Sequence, residues 1–239
     1  MKQFYTLILW RKTEREDVSF EEIAKRAYET ITLFKVLEPK YQPNYEKVFS
    51  KKDAKLFDWD YNNFYNYLKS NVNREGKTEF KELGYSIGFF SSLNSNESCG
   101  YDLRVGATEN HFTNTFIVDF SINMDIFNEE MSRKIELIFK QAVKIFEPFW
   151  GCILNSCLDA TDGYLNNDNS FPKAFHWLNY LSNEMLDKLD KKVLNALEKK
   201  YKIERDGNII KLKNIALDAN LVEDVKLKKE VDETLTRQM

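Results

Sequence analysis

Residues that break or cross-link a backbone are scarce in this chain: eight glycines, four prolines and three cysteines among 239 residues. So few breakers leave room for long elements, and no internal repeat, low-complexity linker or clear domain boundary interrupts them. The odd cysteine count argues against a disulfide framework, and the four residues between Cys152 and Cys157 in CILNSC suit neither a zinc knuckle nor a redox pair. Cys99, Cys152 and Cys157 therefore read as reduced thiols, mostly buried, in a cytosolic protein. Histidine is scarcer still, with only His111 and His176 available as imidazole bases, and neither lies in a recognisable nucleophile motif.

Other absences exclude further classes. The glycines never form GxGxxG or GxxxxGK, so no phosphate-cradling loop is present, and HExxH, CxxC and EF-hand spacings are missing too. The loop DATDGYLNND lacks the alternating ligands and closing glutamate of a calcium site, and reads as an exposed acidic loop. Neither a metal nor a cofactor is expected. Charge of one sign does not dominate: 35 basic residues face 38 acidic ones, giving a net charge of −3. No global positive field draws a phosphate backbone, so direct nucleic-acid binding is not expected. No window approaches the ~20 apolar residues that span a bilayer, and MKQFYTLILWRK reads as a strand without a cleavage site. The expectation is a cytoplasmic protein without a membrane partner.

What the chain has in quantity is aromatic side chains, eighteen Phe and twelve Tyr, which points to long elements packed on a sheet. Phe4 to Trp10 is a β-type run. Ser19 to Glu22 has capping-box spacing, and Ile23, Ala27, Ile31 and Phe34 follow at helical period until Pro39. A second helix is expected within LFDWDYNNFYNYLKSNV, with Phe57, Tyr61, Phe64 and Leu68 on one face. Three strand runs, Tyr85 to Ser92, Cys99 to Ala107 and Asn114 to Ile122, favour an antiparallel meander. Asn128 precedes a helix with Met131, Ile135, Ile138, Ala142 and Ile145 on one stripe, stopped by Pro148. FWGCILNS returns as a strand. Beyond it lie a partly helical charged segment, an Asp-Gly turn between short strands and a terminal helix. The fold class expected is α+β, residues 1–239 forming one domain with a mostly antiparallel central sheet flanked by helices.

Four segments in order carry a family resemblance. They are LILWRKTEREDVSFEEIAKRAYETITLFKVLEPKY, then LGYSIGFFSSLN with CGYDLRVGATENHFTNTFIVDF, then HWLNYLS, and finally GNIIKLKNIALDANLVEDVKLKKEVDETL. Together these resemble the immunity protein 52 family of bacterial polymorphic toxin systems. The motif residues are Trp10, Arg11, Pro39, Gly84, Gly100, Trp150, Trp177, Tyr180 and Leu181. His176 stands where the family usually has glycine before the tryptophan.

The resemblance implies a non-enzymatic antidote that binds the toxin domain made beside it, commonly a nuclease of the restriction-endonuclease class. It would act by covering the cleft or holding the toxin inactive. Carboxylates suited to a basic nuclease cleft are Asp159, Asp162 and Asp168, with Asp58 and Asp60 as a second patch. Trp59 and Tyr164 are the candidate aromatic anchors. For each of these residues a plain role in a solvated loop or a core stands beside the interface role. Two other readings stand beside the immunity reading: a small-molecule hydrolase or transferase assembled from Cys157, His176 and Asp159, and an oligomerising scaffold. Oligomeric state is not legible. His176 itself reads as a hydrogen-bonded packing residue, with Trp177, Tyr180 and Leu181 holding a strand against the sheet.

Overall fold

Apolar and aromatic residues run through the first strand, β1 (Tyr5–Arg11), where Tyr5, Leu7 and Leu9 are buried at the two-residue period of a pleated strand. The structure, a computed structural model, describes residues 2–48, 53–95, 97–109, 113–158 and 172–236. After β1 come α1 (Phe20–Thr32), two 3-10 turns (Leu33–Val36 and Pro39–Tyr41), β2 (Tyr45–Glu46), α2 (Tyr61–Ser70), β3 (Arg74–Glu75) and β4 (Thr78–Glu79). Then follow β5 (Leu83–Phe90), β6 (Gly100–Ala107), β7 (Asn114–Asp119), α3 (Glu129–Phe146), β8 (Trp150–Asn155) and β9 (Leu178–Leu181). The chain continues through α4 (Asn183–Leu186), α5 (Lys191–Tyr201), β10 (Glu204–Asp206), β11 (Ile209–Lys211) and α6 (Val222–Thr236).

Apart from the β3–β4 hairpin, these strands form one mostly antiparallel sheet in the order β10-β11-β9-β8-β1-β7-β6-β5-β2. This is the α+β class expected from the sequence. The chain's contacts group into two compact units, one of residues 9–124 and 141–148, the other of residues 1–8, 125–140 and 149–239.

In the first of these units the expected meander forms, with β5 antiparallel to β6 and β6 to β7. Its inner rows bury Ile87, Leu103 and Phe116, then Phe89, Tyr101 and Val118. The capping box of α1 is complete: Glu22 N–H donates to the Ser19 hydroxyl, and Ser19 N–H donates to the Glu22 carboxylate at 2.9 Å. Ile23, Ala27 and Ile31 are its buried stripe, and buried Phe34 follows in the first 3-10 turn. Pro39 opens the second 3-10 turn, where its missing N–H costs nothing.

The four-residue stripe expected for the second helix is corrected at its start. Helix α2 begins at Tyr61 because Asp60 is extended (φ −80°, ψ 143°) and its carboxylate accepts the N–H groups of Asn62 and Asn63. Phe57 lies ahead of the helix, donating its N–H to Asn44 O at 2.8 Å, and is buried from there. At Gly84, φ is +75° and an added Cβ would stand 2.3 Å from Val105 O, so only glycine fits. Gly100 has no such need, since a Cβ there would meet only Asp119 Cβ at 3.8 Å. Arg11 donates to the main-chain oxygens of Phe146 and Glu147, both at 3.1 Å, placing a cation on the last carbonyls of α3. Its other nitrogens reach Glu14, a buried carboxylate shared with Arg26.

In the other unit β8 pairs with β9, β9 with β11, and β11 with β10, all antiparallel. Gly207 (φ +58°) makes the expected turn between β10 and β11. Asn128 accepts the N–H groups of Glu130 and Met131 at the start of α3, as its position before the helix predicted. Trp150 and Leu181 are register partners in β8 and β9 and both are buried. Trp177 is buried too, its indole N–H donating to Lys213 O at 2.9 Å.

Helix α6 buries two charged residues, Asp224 and Lys228, on the same side as Val231. Asp224 is buried and accepts from Lys213 Nζ at 2.7 Å and from Asp218 N–H at 2.8 Å. Lys228, only 4% exposed, donates to Asp232 at 2.6 Å, and Asp232 accepts the Phe175 N–H. Val222, by contrast, is 80% exposed.

Candidate partner-binding surface

The Asp58–Asp60 patch lies where the segment before α2 crosses the segment after the second 3-10 turn. Trp59 is half-buried rather than free: its indole N–H donates to Pro43 O, and its ring stacks on Phe64 at 6.0 Å and meets Phe57 and Phe89, each at 4.9 Å. Lys35 Nζ lies 5.0 Å from the ring centroid. Burial lowers the pKa of that ammonium from the ordinary lysine value, and the nearby Asp58 carboxylate opposes the shift. Asp58 is exposed, whereas the Asp60 carboxylate is engaged on α2. The structure thus brings Asp58, Trp59 and Asp60 together, and gives two of them local structural work.

Two aliphatic side chains that the sequence reading missed flank this patch. Leu56 is 72% exposed and Val36 is 66% exposed, the one three residues before Trp59 and the other beside Lys35. Exposed leucine and valine beside an aromatic and a carboxylate are the ingredients of an interface core with a charged rim. No periodicity marks them in the sequence, because Leu56 lies at an isolated bridge and Val36 ends a four-residue 3-10 turn. Asp159, Asp162, Tyr164 and Asp168 lie outside the described residues, as does His111.

A concave surface lies on the outer side of the meander. There Ser86, Arg104 and Thr115 form one cross-strand row, and Gly88, Asp102 and Ile117 the next. These rows floor a groove of about 540 Å³. Lys47 Nζ holds both Asp102 oxygens, at 2.6 and 2.7 Å. Arg104 is exposed and also borders a hollow of about 350 Å³ against Asn73, Arg74 and Phe80.

The residues named for chemistry sit differently. His176 is 2% exposed, and its Nδ1 has no hydrogen-bond partner among the described residues. Burial, with the positive charge of Lys228, pushes its pKa from 6.5 down to about 3. His176 is thus enclosed, and among the described residues its hydrogen bonds to Asn179 are made by its main chain. Asn179 accepts the His176 N–H at 2.8 Å and donates to the His176 carbonyl at 2.7 Å, closing a tight loop ahead of β9. Cys157 is exposed, its Sγ 3.6 Å from Lys2 O, while Cys99 and Cys152 are buried. Asp159 lies outside the described residues. Among the described residues no three His, Cys, Asp or Glu side chains gather as a metal-binding group, and no helix is long and apolar enough to cross a membrane.

No family model matches the chain, and no curated protein matches it by sequence. Solved structures do. One described as a T6SS protein of Pseudomonas aeruginosa superposes with a TM-score of 0.57 at 13% identity, covering 98% of this chain and 72% of that one. At that identity the likeness is one of fold.

Proposed function

We propose that this chain is an immunity protein that binds and neutralises a cognate secreted toxin of a polymorphic or type VI-type system, acting without turnover in the cytoplasm of the producing cell. The observation that carries the proposal is the fold likeness, which runs over 98% of the chain and reaches a protein described as belonging to a T6SS. The ordered motifs from LILWRK to the terminal helix give the same direction independently. The toxin on this reading is a nuclease of restriction-endonuclease type, inhibited by covering its cleft or by holding it inactive.

Physical features support a binding role. Leu56 and Val36 offer apolar area beside Trp59, and the Asp58 carboxylate matches the positive field that a nuclease uses to draw phosphate. His176, held neutral and enclosed, is poorly placed to act as a base on an external substrate.

The test is co-expression with the toxin encoded beside this gene, followed by size-exclusion chromatography and a nuclease assay. The expected result is an equimolar complex with suppressed cleavage, and protection that survives His176→Ala and Cys157→Ala in folded protein. Free toxin cleaving at full rate beside a well-folded partner would overturn the proposal.

A further inference from the structure

We propose that the outer face of the β5–β6–β7 meander is a toxin-docking surface, with Arg104 as the anchor that receives a carboxylate of the toxin. This rests on the immunity reading above and adds the surface and the chemistry of the group it takes.

The first observation is an uncompensated charge. Arg11, Arg15, Arg26, Arg74, Arg133 and Arg205 each lie within ion-pair distance of a carboxylate. Arg104 alone among the described arginines has no such partner. Acidic residues outnumber basic ones in this chain, 38 to 35, so a guanidinium left open is not explained by a shortage of carboxylates. Even the neighbouring row is neutralised internally, by Lys47 on Asp102.

Placement is the second observation. Arg104 stands on the central strand of the meander, paired across to Ser86 on one side and Thr115 on the other, so its backbone is held by both neighbours. It borders both hollows, the groove of about 540 Å³ and the smaller one of about 350 Å³. A segment lying along this face passes directly over the guanidinium. A site on rigid strands needs little rearrangement to bind.

Chemistry selects the occupant. A guanidinium presents a planar fork that takes a carboxylate through two parallel hydrogen bonds, and arginine is enriched among the residues that dominate interface energy. A polyanion is disfavoured here, because Glu75 lines the smaller hollow and the chain carries a net charge of −3. One carboxylate on a protein segment meets the open charge with less of that repulsion than a run of phosphates would.

The test measures affinity for the toxin encoded beside this gene, using the full chain with Arg104→Glu, Arg104→Lys and Thr115→Glu. Arg104→Glu is expected to weaken binding by roughly 30-fold or more, with Arg104→Lys losing less because it keeps the charge and drops the fork. Thr115→Glu places a carboxylate across the strand from Arg104, and is expected to weaken binding by occupying the guanidinium. It also serves if Arg104→Glu fails to fold. Wild-type affinity in folded Arg104→Glu or Thr115→Glu would overturn this surface while leaving the immunity reading intact. Absence of binding by the unaltered chain would overturn both. Binding of a single-stranded oligonucleotide that Arg104→Glu abolishes would overturn the carboxylate in favour of a phosphate ligand.

Discussion

At the scale of single residues, His176 shows how burial decides what a titratable group can do. An imidazole normally charges near neutral pH, yet here enclosure and Lys228 hold its pKa near 3 instead of 6.5. Between those values the unfolded chain takes up a proton that the native chain refuses. Its contribution to stability is therefore complete above pH 6.5 and is lost as pH falls toward 3. The expected slope from this one group approaches about 1.4 kcal/mol per pH unit inside the window. Urea unfolding at pH ~7.5 and ~4.5 checks it, because His176→Gln has no imidazole to charge and should flatten the difference relative to wild type.

At the scale of elements, the two helices that depart most from amphipathic expectation do so through polar contacts. Helix α2 starts where Asp60 caps it, not where the aromatic stripe begins. Asp60→Ala is expected to lower stability by about 1 kcal/mol, whereas Asp60→Asn keeps an equally good cap and should leave it nearly unchanged. Thermal unfolding of both variants checks this, and toxin affinity of the asparagine variant then reads the interface value of the charge alone. Helix α6 turns Asp224 and Lys228 inward, where each is satisfied, and Val222 outward. Its sequence shows a helix but not which side faces the core, since buried charges erase the periodic signal.

At the scale of the whole molecule, the binding reading depends on surface that the fold leaves uncovered. Leu56 is largely exposed and makes its backbone bridge to Tyr45, so its side chain contributes little to the core. Leu56→Glu is expected to change stability by less than about 0.5 kcal/mol while weakening the toxin complex, as checked by unfolding and by affinity on the same preparations. Loss of stability with unchanged affinity would assign Leu56 to the fold instead.

The sequence by itself determined the elements whose signals are local. The Ser19–Glu22 capping box, the three strand runs of the meander, Asn128 ahead of α3 and the Asp206-Gly207 turn were all legible, because each depends on residues a few positions apart. The α+β class followed from their order. Only tertiary structure decided what depends on distant neighbours: that Phe57 is buried from outside a helix, that Arg11 sits on the end of α3, and that Asp60 and Trp59 are held locally. The same holds for Arg104, an ordinary polar position on a strand until pairing with Ser86 and Thr115 sets it in a groove whose one carboxylate, Asp102, is held by Lys47. Burial and charge compensation are properties of what comes close in space, and the chain order records only what comes close in sequence.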